Sequence, residues 1–225
     1  MKIQAFGCTH GFHHDIKIDD SCDMLIHTGD ESNYRMSALN YHEAINFLEW
    51  YGSLPNKYKI FVAGNHSTAI EKRLITKKDI ESLGITYLED SGIEIEGINI
   101  YGSPCTPKYG DWAFMRDRAK MDKAWIHIPE NTNILITHGP PYGVLDLSEN
   151  RERELEMTGC KRLLHYVKQI KPKYHFFSHI HNKGYIQNRG IKIQEEISFC
   201  NVNCVEDGRF DKGLQSSGLI VNYND

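Results

Sequence analysis

Short apolar runs alternate with longer amphipathic stretches along this chain, a pattern that predicts strands and helices interleaved around a sheet. Residues 3–6 and 24–27 are strand-like runs that give way to Gly7 and Gly29. A helix follows over 38–51, with Ala38, Tyr41, Ile45 and Leu48 on one face, Ala44 and Tyr51 beside it, and Pro55 beyond its end. Residues 59–63 predict the next strand and 68–83 a charged amphipathic helix carrying Ile70, Leu74 and Ile80. Residues 93–95 and 98–100 alternate around Gly97 and predict a hairpin, which brings antiparallel pairing into the fold.

After a Pro- and Gly-rich loop over 102–110 and a helix near 117–126, residues 134–137 form a compact strand ending at His138. A helix over 159–170 turns Leu163, Leu164, Val167 and Ile170 inward, and the strand at 174–177 precedes His179. A strand-rich tail runs from 185 to 221. No repeat and no Ser/Gly or Pro-rich linker divides the sequence, so residues 1–225 read as a single α/β domain.

Composition narrows the function. The 225 residues bury a core without disulfide or metal staples, so any metal site serves chemistry rather than stability. Lys and Arg number 26 against 30 Asp and Glu; this net charge of −4 lacks the basic excess of a protein that coats nucleic acid, and extended nucleic acid is not the expected partner. The sequence has no cationic leader with a long apolar core and no apolar run long enough to span a bilayer, so the expectation is a cytoplasmic protein without a membrane partner. Six irregularly spaced cysteines do not form a disulfide framework, and Cys200 and Cys204 read as buried strand or loop positions.

The chemistry-bearing residues fall just past the predicted strand ends: Cys8 and His10, Asp30, Asn65 and His66, His138, then His179 and His181. In an open α/β sheet these ends converge on the ligand site. Imidazoles, a carboxylate and a carboxamide are transition-metal ligands. Donors on so many loops suggest two ions, with Asp30 as the natural bridge. Two cations about 3.5–4 Å apart can clamp phosphoryl oxygens, generate hydroxide from a bridging water and stabilise in-line displacement, and an imidazole such as His66 can protonate the leaving oxygen.

Gly29-Asp30-Glu31-Ser32-Asn33, Gly64-Asn65-His66, Thr137-His138-Gly139 and Ser178-His179-Ile180-His181 resemble successive blocks of the calcineurin-like metallophosphoesterases, with Cys8-Thr9-His10 where an Asp-x-His block is expected. The stretch from Leu25 to Asp30, Ala63-Gly64-Asn65-His66, Thr137-His138-Gly139-Pro140-Pro141 and Gly159-Cys160 are similar to the metallophosphoesterase domain-containing subgroup related to class III cyclic nucleotide phosphodiesterases. The resemblance implies a four-layer α/β/β/α sandwich with a dimetal site at the strand C-terminal ends. It implies that His10, Asp30 and His181 serve one ion, with position 8 completing its site, and that Asp30, Asn65, His138 and His179 serve the other. His66 would assist the leaving group. The implied activity is a phosphodiesterase acting on small or cyclic nucleotides with two divalent ions, Mn²⁺, Zn²⁺ or Fe²⁺.

Three positions depart from that pattern. Cys8 replaces a hard carboxylate, and a thiolate favours zinc or iron over magnesium or manganese; the alternative is a small buried residue that binds nothing. Asn33 replaces a second Asp, and Ser67 replaces the acidic residue that commonly follows Asn-His. These changes motivate a second expectation, a metal- or nucleotide-binding regulatory module with weakened catalysis; a nuclease of the same fold is a third. Among the other residues, His13 and His14 read as exposed loop, His27 as a hydrogen-bonded core residue, and residues 151–156 as a solvated helix face. His42, His127, His165 and His175 suit surface or packing roles, and Tyr109, Trp112 and Phe114 either wall a pocket or pack elsewhere.

Overall fold

The computed structural model describes residues 1–207 and 213–224. In chain order the strands are β1 (Lys2–Phe6), β2 (Met24–His27), β3 (Tyr58–Phe61), β4 (Thr86–Tyr87), β5 (Ser91–Ile95), β6 (Ile98–Ser103), β7 (Thr106–Pro107), β8 (Met115–Arg116), β9 (Ile134–Thr137), β10 (Leu147–Glu149), β11 (Leu155–Met157), β12 (Tyr174–Phe177), β13 (Gly190–Gln194), β14 (Ile197–Asn201) and β15 (Leu219–Asn222). The helices are α1 (Ser37–Ser53), α2 (Thr68–Glu71), α3 (Lys77–Ser82), α4 (Asp122–Trp125) and α5 (Lys161–Ile170).

Two mixed sheets dominate, ordered β15-β1-β2-β3-β4 and β13-β14-β12-β9-β6-β5. Their central strands are parallel and apolar on both faces, as strands covered on two sides must be. In β2, Met24 and Ile26 point between the sheets while Leu25 points under the helices; in β9, Ile134 and Ile136 point inward and Leu135 outward. Three apolar clusters result, one between the sheets, one beneath α1 to α3 and one beneath α4 and α5. This is the four-layer α/β/β/α sandwich. Each fully buried Leu, Ile or Phe in these layers contributes about 1.5–3 kcal/mol.

Most predicted elements form where expected, including the hairpin of β5 and β6, whose turn residues Glu96 and Gly97 both take positive φ. The single helix predicted over 68–83 is instead two. Arg73 takes φ 60°, and a capping box between Thr76 and Asp79 starts α3 afresh, leaving Leu74 exposed. The helix expected near 117–126 is a 3-10 turn, Arg118–Lys120, followed by the short α4. Residues 151–156 are exposed but lie on the hairpin of β10 and β11, not on a helix. The predicted tail contains β13, β14 and β15; its residues 208–212 lie outside the described residues. Among the described residues, no helix is long and apolar enough to cross a membrane.

Candidate metal centre

Sheet register brings the donors together. Phe6, His27 and Phe61 lie in one row across β1, β2 and β3, so the loops that follow leave from the same level. In the other sheet Ser103 pairs with Thr137 and Ile136 with Phe176, so His138 and His179 emerge beside each other. The sheets are joined at this end: Gly7 N–H donates to the Val202 carbonyl at 3.1 Å, and the Thr28 hydroxyl donates to Ser178 Oγ at 2.8 Å. Cys8, His10, Asp30 and His179 all take left-handed backbone conformations, with φ of 51°, 45°, 58° and 66°. Non-glycine residues in that region cost about 1–3 kcal/mol each and persist where surrounding structure imposes them, characteristically at functional sites.

Three sets of donor atoms lie mutually within 4.8 Å: Cys8, His10 and His181; Cys8, Asp30 and His138; and His10, Asp30 and His66. Cys8, His10 and Asp30 therefore belong to two sets each. Among the described residues His179 joins no such set, although its ring lies 4.9 Å from that of His138, and Asn65 enters through its carboxamide.

The donor chemistry fits a cation. His138 Nδ1 donates to the Thr28 carbonyl at 2.8 Å, which in a neutral ring leaves Nε2 as a lone pair. Nε2 faces Asn65 Oδ1 at 2.9 Å and Asp30 Oδ2 at 3.3 Å, so three electron-rich atoms meet with no proton to share. Such a cluster needs a positive charge, either a bound ion or a proton on the ring itself. The electrostatics agree: burial opposes a charged His138, yet Asp30 beside it raises its pKa. Burial likewise works against the Asp30 carboxylate, but His138, His66 and His10 outweigh it and hold Asp30 well below the usual carboxylate range. Burial keeps His10 and His179 neutral, the form that ligates, and pushes the Cys8 thiol well up. Cys8 Sγ also accepts the His179 N–H at 3.2 Å.

Partners around the cluster fix its orientation. Asp207 Oδ1 sits 2.7 Å from His181 Nδ1, which aims Nε2 at the centre. The sequence carried no signal for Asp207, which lies 26 residues beyond His181. Gly64 has no room for a side chain: an added Cβ would overlap Asp30 Oδ1 and lie 2.7 Å from His138 Cε1.

His66 has a different setting. Its Nδ1 donates to the Asn33 carbonyl at 3.2 Å, so position 33 acts through its backbone. Trp112 packs against the His66 ring with centroids 4.5 Å apart, and Arg35 lies over the same indole at 4.7 Å. Asn40 on α1 clamps the backbone, donating to the carbonyls of His66 at 2.6 Å and Tyr34 at 3.1 Å. The Ser67 hydroxyl donates to buried Glu31 at 2.7 Å and accepts the Gly64 N–H at 2.8 Å; burial raises Glu31 to about 7 although that hydroxyl opposes it. A carboxyl group thus returns beside position 67, supplied by position 31.

The remaining expectations divide. His27 is a buried hydrogen-bonded residue, with Nε2 3.2 Å from Thr9 Oγ1. His13, expected on an exposed loop, is buried, with Nε2 2.9 Å from Asn46 Oδ1; a 3-10 turn swings it beneath Trp50. His175 is buried beneath α5, and Cys200 and Cys204 are buried free thiols. Phe114 packs in the core, while Tyr109 walls the cavity over the centre and its hydroxyl accepts from Asn65 Nδ2 at 3.4 Å.

That cavity has a volume of about 390 Å³. His10, Asp30, Asn65, His66, His179 and His181 line one part of it. Ser148, Glu156 and Thr158, from the hairpin of β10 and β11 and its exit, line another, together with Arg118.

A family model for calcineurin-like phosphoesterase matches residues 1–183, the stretch that carries every one of these donors. The chain belongs to that family. It is a metallophosphoesterase, and the resemblance in its sequence blocks is thereby established. It is 34% identical over 215 residues to UPF0046 protein K07C11.7 of Caenorhabditis elegans, a match covering 89% of this chain and 70% of that protein. It is 35% identical over 206 residues to human Metallophosphoesterase domain-containing protein 1, covering 80% of this chain; the chain spans 61% of that relative's length. The solved structure of phosphopantetheinyl hydrolase from Mycobacterium tuberculosis superposes with a TM-score of 0.58, covering 99% of this chain and 96% of that one at 13% identity, and shares the fold.

Proposed function

We propose that this metallophosphoesterase is a phosphodiesterase that hydrolyses small phosphodiesters, nucleotides among them. The observation that carries the reading is the meeting of His138 Nε2, Asn65 Oδ1 and Asp30 Oδ2 on a cavity of about 390 Å³, a volume suited to a nucleotide-sized molecule. His10, Asp30 and His181, with Cys8, would hold one divalent ion, and Asp30, Asn65, His138 and His179 the other. Bound there, two such ions supply Lewis acidity toward phosphoryl oxygens and an activated water.

The chain's own groups do the rest. Asp207 and the Thr28 carbonyl fix the tautomers of His181 and His138, keeping their Nε2 lone pairs on the centre. The Asn33 carbonyl accepts from His66 Nδ1, so Nε2 is the atom that would meet substrate, and it delivers a proton to the leaving oxygen from the imidazolium form, in which both ring nitrogens carry one. Trp112 on one side of His66 restricts where that proton is delivered. Tyr109 offers its ring as a cavity wall.

The test is chelator-treated protein reconstituted with Mn²⁺, Zn²⁺ or Fe²⁺ and assayed on bis(p-nitrophenyl) phosphate and on cyclic nucleotides. Metal-dependent release of phosphomonoester is the expected result. Nucleotide binding without turnover under every metal would overturn it in favour of a regulatory module.

A further inference from the structure

We infer that Arg118 is a specificity-determining residue that receives a second anionic group of the substrate, so that the favoured phosphoesters carry an additional phosphate or carboxylate. The inference rests on the phosphodiesterase reading and adds a substrate class to it.

Arg118 is an exposed residue at the start of a 3-10 turn and reaches the cavity that opens on the metal centre. Its NH1 donates to the Gly159 carbonyl at 3.2 Å and its NH2 to the Thr158 carbonyl at 3.0 Å. Both partners are neutral, and among the described residues Arg118 has no carboxylate partner. A guanidinium has five N–H donors, so three remain, in a planar fork that matches the oxygens of phosphate or carboxylate.

The segment that carries these two carbonyls is itself held by hydrogen bonds and close packing. Asp146 Oδ2 accepts the N–H groups of Gly143 and Gly159, both at 2.9 Å, and the Asp146 carbonyl accepts the Thr158 N–H at 3.0 Å. Gly159 lies so close to Pro141 that an added Cβ would fall 2.5 Å from the Pro141 carbonyl oxygen. Gly159 of the Gly159-Cys160 block, which ligates nothing at the metal centre, thereby acquires a role: its carbonyl and that of Thr158 before it hold the guanidinium toward the cavity. Glu156 lines the same cavity. A single guanidinium in a cavity that also presents the carboxyl groups of Asp30, Glu156 and Asp207 suits a compact substrate with a single further anion, and not a polyanionic strand.

The test compares 2′,3′-cyclic AMP with the same molecule phosphorylated at its 5′ oxygen, using metal-reconstituted protein. Wild type favours the 5′-phosphorylated substrate by about tenfold in kcat/KM, the scale of a charge-assisted hydrogen-bonded pair. In Arg118→Gln that ratio falls to about one, in Arg118→Lys it is intermediate, and in Lys123→Ala, outside the cavity, it stays at the wild-type value. The same ratios are read in binding by equilibrium dialysis of adenosine 3′,5′-bisphosphate against 3′-AMP. Equal ratios in wild type and Arg118→Gln, in turnover or in binding, would overturn the inference. Loss of turnover on every diester with the binding ratio preserved would sink the phosphodiesterase reading and leave the role of Arg118 standing.

Discussion

His138 Nε2 and Asn65 Oδ1 lie 2.9 Å apart while the other nitrogen of that ring is committed to the Thr28 carbonyl. The carboxamide and the imidazole come from different sheets, and the Thr28 carbonyl ties His138 across to the first sheet again. A neutral ring in this position presents a lone pair to an oxygen, and the contact becomes favourable once a cation sits among these atoms.

Gly64→Ala tests that packing. The new methyl would overlap the Asp30 carboxylate and crowd His138, so metal affinity should fall about 10–100-fold, the scale of losing a group that positions ligands. Metal content after dialysis, read by elemental analysis, checks this; wild-type affinity in the variant would show that the pocket yields.

The leaving-group role assigned to His66 has a kinetic signature. His66→Gln should lower kcat by about 10²–10⁴-fold on a diester with a poor, alkoxide leaving group. On bis(p-nitrophenyl) phosphate, whose phenolate departs without a proton, the loss should be far smaller. Equal losses on both substrates would move His66 from proton delivery to the ligand set, where its place within 4.8 Å of His10 and Asp30 would put it.

The ligand role proposed for Cys8 is tested through metal preference. Cys8→Asp replaces a buried soft donor with a hard one, and activity with Mn²⁺ should rise relative to activity with Zn²⁺. Activity measured across both metals in both proteins decides it; an unchanged ratio would remove Cys8 from the ligands.

His175 makes stability depend on pH. Burial lowers its pKa from 6.5 to about 3, while its Nε2–H donates to Thr137 Oγ1 at 2.8 Å. Between pH 6.5 and 3 the unfolded chain takes up a proton that the folded chain refuses, so stability is lost as pH falls through that window. At pH 4.5 this one residue costs about 2–3 kcal/mol relative to pH 7. His175→Phe should be less acid-sensitive by that amount, as measured by urea unfolding at the two pH values. Parallel pH dependence in the two proteins would show that another group carries it.

What the sequence determined was the framework. Apolar runs that end abruptly in polar residues fixed β2, β9 and β12 to the residue, because strands covered on both faces have no other composition available. The donors at those ends were legible for the same reason. The break before α3 was written locally, in the capping box of Thr76 and Asp79, while the hairpin of β10 and β11 and buried His13 were decided by neighbours. Tertiary structure alone decided which nitrogen of His138 faces the centre, through a carbonyl 110 residues away, and which acid steadies His181. It alone brought Arg118 to the carbonyls of residues 158 and 159. Orientation and charge at a site depend on groups that meet only after the two sheets have closed on each other, and no local pattern in the chain encodes that meeting.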